Sequence, residues 1–281
     1  MSSCNGNCSE CGSDCADRKP ESLLAELNPN ASVKKVIAVV SGKGGTGKTT
    51  FTANTALALA AMGQRVLCMD CDVTLRNLDL ALGLSDRALM DFSDVLAGRC
   101  TLSQAAVAHE KYPTLSLLTA PVADRPLELS VSAVKQLAAD IRAGYDWCLI
   151  DAPAGLGQGF QMAACMADQV VVITTTDVSA MRDAQRTAAE LSAFPSGTVH
   201  LVVGRVSKKV LRQLHTTIDD AIDAAGLPLL GVIPEDEGIP IALGRSALTV
   251  FSRESSAEIA CRNIARRLTG EHVPLMKLPR R

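Results

Sequence analysis

Apolar and polar positions divide the chain into two regimes. Residues 1–30 are rich in Ser, Asn, Cys, Asp and Glu and show no apolar period. Such a stretch buries too little surface to offset the entropy of ordering it, so it reads as a tail. A short helix over Glu21–Leu27, ended by Pro29, is the one element it could form. From Val33 the pattern changes. Val33–Ser41 (VKKVIAVVS) is a β-branched strand that runs into a Gly-rich turn, and Thr49–Met62 is an Ala-rich helix stopped by Gly63. Further strands are expected at Arg65–Asp70, Leu115–Thr119, Trp147–Asp151, Gln169–Thr174, Val199–Arg205 and Leu229–Ile233. Helical stretches near 130–143, 158–167, 178–194 and 210–225 separate most of them, and a last helix covers Ser255–Leu268. This alternation predicts an α/β fold: a doubly wound, mostly parallel sheet flanked by helices on both faces. One domain over residues 31–270 holds it, between the tail 1–30 and a short C-terminal tail 271–281. No internal repeat is found.

Composition narrows the class. The 281 residues suffice for one large α/β domain, and a 47% hydrophobic content supplies its core. Aromatics are only 3%, so the core is built of Ala, Val, Leu and Ile, as suits helices packed on a parallel sheet. A net charge of −2 and few stacking platforms argue against nucleic acid as a partner. No run of 18 apolar residues occurs, and the polar start MSSCNGNCSE is no secretory signal, so a cytoplasmic location is expected.

Ten cysteines are present. Cys4, Cys8, Cys11 and Cys15 follow C-x3-C-x2-C-x3-C, and four thiolates so spaced can clasp Zn²⁺ or an iron–sulfur cluster. Cys68 and Cys71 straddle a strand end and read as packing, as do Cys100, Cys148, Cys165 and Cys261. His109, His200, His215 and His272 lack metal-ligand spacing and read as surface or satisfied residues. The Arg-containing helix near 262–267 reads as a solvated face.

The strongest local signal is GKGGTGKTT over residues 42–50, after a strand and before a helix. Gly42, Gly47, Lys48 and Thr49 match GxxxxGK[ST]. Glycines let the backbone curl so that successive N–H groups point at phosphate oxygens, and the helix N-terminus adds its positive end. Lys48 brings a mobile charge to the outer phosphates, and Thr49 offers a hydroxyl to Mg²⁺. Asp70 and Asp72 stand at the end of the second strand and Asp151 at the end of WCLID, on the side where ligands bind an open α/β sheet. Asp151 is the natural acid to help hold Mg²⁺, directly or through water, Asp72 the candidate to orient the attacking water, and Asp70 a magnesium partner one step behind the direct ligands. The Gly-rich DAPAGLGQG that begins at Asp151 is a candidate switch segment.

Lys43, at the loop's start, makes it the variant loop of the MinD/ParA/Mrp/nitrogenase iron-protein class, which the chain resembles. The resemblance implies that Lys43 reaches across a dimer interface to the partner's nucleotide. A cation that arrives only on dimerisation can stabilise transition-state charge. DVTLRNLDLALGL (72–84), DFSDVLAGRCTLSQA (91–105), the segment 151–186, GVIPEDE (231–237) and CRNIARRLTGEHVPL (261–275) are similar, in order and spacing, to the MinD family of septum site-determining ATPases. The likeness covers about residues 33–275. It implies a P-loop NTPase fold of the SIMIBI type. It also implies that Gly42, Lys43, Gly44, Gly45, Thr46, Gly47, Lys48, Thr49 and Thr50 bind ATP, that Asp72 faces the water, and that Asn77 belongs to a nucleotide-responsive segment. Proteins of this family form ATP-dependent homodimers, hydrolyse ATP slowly until a partner stimulates them, and bind the inner membrane face. They help a division inhibitor act away from midcell.

The chain departs from that pattern in three places. Gly204 stands where the family usually carries an Asn that reads adenine, so a backbone group would have to make that contact. Pro274 and Pro279 leave no room for the family's C-terminal lipid-docking helix. Only Leu275, Met276 and Leu278 with Lys277, Arg280 and Arg281 remain for weak contact with an anionic surface. Finally, the Cys-rich tail resembles Mrp-type iron–sulfur carrier ATPases, which are the alternative reading. The body lacks the paired late cysteines of such carriers. Near-neutral charge argues against ParA-like DNA partition, and APAGLGQG has no cysteine for an iron-protein-like reductase.

Overall fold

The computed structural model describes residues 35–85, 87–122, 130–239, 241 and 255–278. The proposed helix over Glu21–Leu27 and the cluster Cys4, Cys8, Cys11 and Cys15 lie outside them. The strands are β1 (Lys35–Ser41), β2 (Val66–Asp70), β3 (Val107–Ala108), β4 (Leu115–Leu118), β5 (Trp147–Ala154), β6 (Gln169–Thr174), β7 (Val199–Val206) and β8 (Leu229–Pro234). They form one sheet in the order β3-β4-β2-β5-β1-β6-β7-β8. All neighbours are parallel except β3, a two-residue antiparallel edge too short to show an alternation in sequence.

Alternate residues of β1 face opposite layers. Val36, Ala38 and Val40 join one core and Ile37 and Val39 the other. The first core packs under α5 (Val131–Gly144), α6 (Gln158–Met166), α7 (Val178–Glu190) and α9 (Ile218–Ala225). The second packs under α1 (Lys48–Ala61) and the C-terminal helix α10 (Ser256–Leu268). Both faces of the sheet are therefore covered, as a parallel sheet requires.

Three sequence expectations need correction. The stretch 210–225 is two helices, α8 (Lys208–Leu214) and α9. His215 turns left-handed with φ 52°, and the Thr217 hydroxyl then takes the Asp220 N–H while the Asp220 carboxylate takes the Thr217 N–H. That capping box ends one helix by starting another. The short helices α2 (Leu78–Leu82), α3 (Phe92–Leu96) and α4 (Leu102–Ala105) fill the region between β2 and β4, where no helix was expected.

Second, the face of α10 is not wholly solvated. Arg267 is 7% exposed, and its guanidinium donates to three backbone carbonyls: Val273 (2.8 Å), Leu230 (2.9 Å) and Pro274 (2.8 Å). Its fork matches carbonyls that a chain turning back on itself leaves unpaired. This anchors the C-terminal segment. Met276 packs on the second core and Leu278 on the first, and Lys208 Nζ donates to the Leu278 carbonyl at 2.8 Å. Third, His200 is neither at the surface nor satisfied. It is 5% exposed with Nδ1 unbonded, and burial, with Lys35 nearby, holds its pKa down at about 4.

Candidate nucleotide site

The phosphate loop leaves β1 at its carboxyl end and enters α1. Gly47 sits at φ 98°, where a Cβ is strained, and turns the chain into the first helical turn. A Cβ on Gly42 would lie 2.7 Å from the Asp183 Cβ, so only glycine lets the loop pass α7. The Lys48 ammonium is buried and donates to Ser41 Oγ at 2.9 Å, and that hydroxyl donates to the Lys43 carbonyl at 2.6 Å. Burial lowers the Lys48 pKa, against the opposing charges of Asp151 and Asp72. A desolvated cation without a direct carboxylate partner is a ready anion receptor.

Thr49 Oγ1 donates to Asp151 Oδ2 at 2.6 Å, across 102 residues of chain. The other carboxylate oxygen, Asp151 Oδ1, is buried and unbonded. The fold brings Asp151 beside Asp70, paired in register across β2 and β5. Burial pushes both carboxyls up to about 7, and the Asp151 charge adds to the shift of Asp70. Mg²⁺ takes few protein ligands and keeps phosphate and water oxygens, so the Thr49 hydroxyl and the orphan Asp151 oxygen suit it. Among the described residues no group of three or more His, Cys, Asp or Glu forms a metal cage by itself.

Asp70 has further work. Its Oδ1 accepts from the Asp72 N–H (2.8 Å) and its Oδ2 from the Leu78 N–H (3.2 Å). It thereby clamps both ends of the segment that carries Asp72 and Asn77. Asp72 Oδ1 accepts from the N–H groups of Thr74 and Leu75, each at 3.1 Å, in a local turn at the cleft rim. Asn77 makes no side-chain cap on α2 and, with Asp72, lines a cleft of about 480 Å³ around the phosphate loop.

The far wall of the cleft includes Gly204, Arg205, Ile233, Pro234, Glu235 and Asp236. Only Gly204 was expected there. The others lie at or just beyond the carboxyl ends of β7 and β8, whose place beside the loop the linear pattern does not reveal. A larger cleft, about 1060 Å³, opens at the other end of the sheet beside Arg65 and Arg99. Those arginines are bonded to Asp146 and Asp94, and among the described residues that line it there is no phosphate-binding turn.

Lys43 does not line the cleft. Its ammonium is about half exposed and donates to Ser179 Oγ (2.8 Å) and Asp177 Oδ1 (3.4 Å) at the start of α7. Asp177 caps that helix through the Ala180 N–H at 3.0 Å. Against the upward push of burial, hydrogen bonds from Thr175, Ser179 and Ala180, with the Lys43 charge, hold its carboxyl below the usual range. Sequence reading missed this pair, although Asp-Val-Ser before a helix is a legible cap.

The pH dependence follows from the two raised carboxyls. Each would ionise near 3.8 in an open chain but near 7 in the folded one, so the folded state binds more protons between those values. As far as these groups go, stability of the nucleotide-free protein is therefore highest at and below about pH 4, and falls as pH rises to about 7. Asp151→Asn should flatten that slope in melting temperatures taken from pH 5 to 8. Mg²⁺ needs the ionised form, so affinity for Mg–ADP should rise with pH up to about 7 by as much as roughly tenfold per unit. A flat calorimetric profile over that range would contradict the assignment.

Residues 34–195 match the family model described as AAA domain. The chain is 37% identical over 247 residues to the septum site-determining protein MinD of Synechocystis, covering 87% of this chain and 92% of that protein. Among solved structures, the MinC:MinD cell division protein complex of Aquifex aeolicus matches at a TM-score of 0.80 and 34% identity, over 87% of this chain and 99% of that one. MinD complexed with Mg-ADP from Pyrococcus horikoshii matches at 0.71 and 29%, over 83% and 95%. ATP and Mg²⁺ fit these relatives, and the Mrp-type alternative is not favoured by them. No helix among the described residues is long and apolar enough to cross a membrane. Likeness this even, extending over nine-tenths of a relative's length, places the chain in the MinD family of septum site-determining ATPases.

Proposed function

We propose that this ATPase works as a nucleotide-switched homodimer, in which Lys43 of each copy leaves its own α7 and reaches the partner's nucleotide. The observation that carries the reading is the position of Lys43. It stands beside the phosphate loop but outside the cleft, on an exposed rim, held by one hydroxyl and one carboxylate. Exposed ion pairs of this kind are worth about 1 kcal/mol or less, so a triphosphate on an approaching copy can displace it. Leu75 at the cleft and Val178 at the start of α7 are 66% and 65% exposed and offer apolar area for the contact.

Within each copy the loop N–H groups and Lys48 hold the phosphates. Thr49 and Asp151 would hold Mg²⁺, which neutralises phosphate charge. Asp70 fixes the segment that presents Asp72 to the attacking water and Asn77 to the cleft. The loop after Asp151 responds to the outer phosphate. The ATP-bound dimer then recruits a division inhibitor of the kind the Aquifex relative binds, MinC, and an activating protein resets it by stimulating hydrolysis. Self-directed lipid contact is a minor part of this scheme, because Met276 and Leu278 are used in packing.

Light scattering tests the switch. Mass should double with Mg²⁺ and a non-hydrolysable ATP analogue, and stay at the monomer value with Mg–ADP. A monomer in both conditions rejects the dimer reading.

A further inference from the structure

Arg205 joins two parts of the nucleotide cleft that no sequence motif connects. It lies near the end of β7, where the pairing with β8 shifts register between Val203 and Val206, and its φ is 52°. A residue with a side chain seldom adopts that left-handed conformation. Here it turns the side chain out of an otherwise buried strand. Arg205 Nη1 donates to the Gly45 carbonyl, 160 residues away, at 3.1 Å. Its Nη2 donates to Glu235 Oε1, just beyond β8, at 3.3 Å. Gly45 belongs to the phosphate loop, and Gly45 and Glu235 both line the cleft. Next to Arg205, a Cβ on Gly204 would stand 3.1 Å from the Thr46 carbonyl oxygen. The loop backbone thus rests on β7 with no side chain between them.

The orientation of the Gly45 peptide matters for binding. A loop that receives phosphate must turn its N–H groups inward and its carbonyls outward. A carbonyl that flips inward meets the phosphate with like partial charge. We propose that Arg205 is a positioning residue for nucleotide binding: its fork fastens the Gly45 carbonyl to the Glu235 wall and sets the loop before ATP arrives. The proposal rests on the ATP-binding reading of this site. An ion pair as exposed as Arg205–Glu235 adds little by itself. Its effect comes through the loop, because order imposed in advance is order that binding need not impose. Lysine cannot replace it fully, since one ammonium lacks the planar fork that spans both acceptors.

Arg205→Gly separates the clamp from the fold. Glycine tolerates a φ of 52°, so melting temperature should hold or rise, while the clamp is lost. Calorimetry with Mg–ADP should show affinity reduced by roughly tenfold, and KM for ATP should rise by a similar factor with kcat within about twofold. Arg205→Lys, which keeps one bond, should fall between. Equal affinity of the Arg205→Gly variant and the unmodified chain would overturn the clamp while leaving ATP binding intact. A melting temperature that falls in step with affinity would overturn it too, by showing a structural role only. Failure of the unmodified chain to bind Mg–ADP would overturn the nucleotide reading and the clamp together.

Discussion

Lys48→Ala should weaken Mg–nucleotide binding by about 100-fold, close to 3 kcal/mol, the scale for removing one member of a buried charge pair. In the free protein this ammonium is buried, and among the described residues it is held by the Ser41 hydroxyl and two more distant carboxylates. A cation kept out of water without a full partner costs stability, so the variant should melt no lower than the unmodified chain. The same desolvation makes the charge effective once phosphate enters, because little water remains to screen it. Titration calorimetry with Mg–ADP, beside a melting curve, checks both halves. Unchanged affinity would contradict the cradle. A large loss of melting temperature would mean that Lys48 holds the fold rather than the ligand.

Lys43→Ala should behave in the opposite way. Its ammonium lies on Asp177 and Ser179, outside the cleft, so binding of Mg–ADP by a single chain should change by less than a few-fold. Dimerisation with ATP should disappear, and turnover stimulated by an activating partner should fall by about 1000-fold, the scale of a charge supplied in trans to phosphoryl transfer. Phosphate release and light scattering on one preparation decide the matter. If the variant dimerises and turns over normally, Lys43 merely completes the cap of α7. The two lysines stand five positions apart in one loop, yet the first would serve the neighbouring copy and the second its own. That contrast tests the two roles more sharply than either variant alone.

Much of the site is local in sequence and could be read there. A glycine-rich turn after VVS and before an Ala-rich helix can curl only in a few ways, and the spacing from Gly42 to Thr49 sets which groups face the ligand. Asp70, Asp72 and Asp151 were legible as acids at strand ends because apolar runs stop there. The site residues that were missed belong to contacts distant in sequence or to backbone turns. Asp177 and Ser179 meet Lys43 across more than 130 residues. Arg205 is in the strand where the pattern put it, but its left-handed φ, which aims the side chain at the phosphate loop, has no local signature. Arg267 looked solvated because a helix with neighbouring arginines usually is. Its burial depends on carbonyls of β8 and of the returning C-terminal segment.

The sequence by itself determined the kinds and order of the elements and the chemistry of the loop between β1 and α1. Side-chain branching, apolar period and glycine act over a few residues, so neighbours in the chain suffice to express them. Tertiary structure alone decided that β5 lies between β2 and β1, which sets Asp151 against both Asp70 and Thr49. It also decided which charges lose their water, and hence that both acids hold protons up to about pH 7. Pairing between strands and exclusion of solvent arise from residues tens to more than a hundred positions apart, and no local pattern records them.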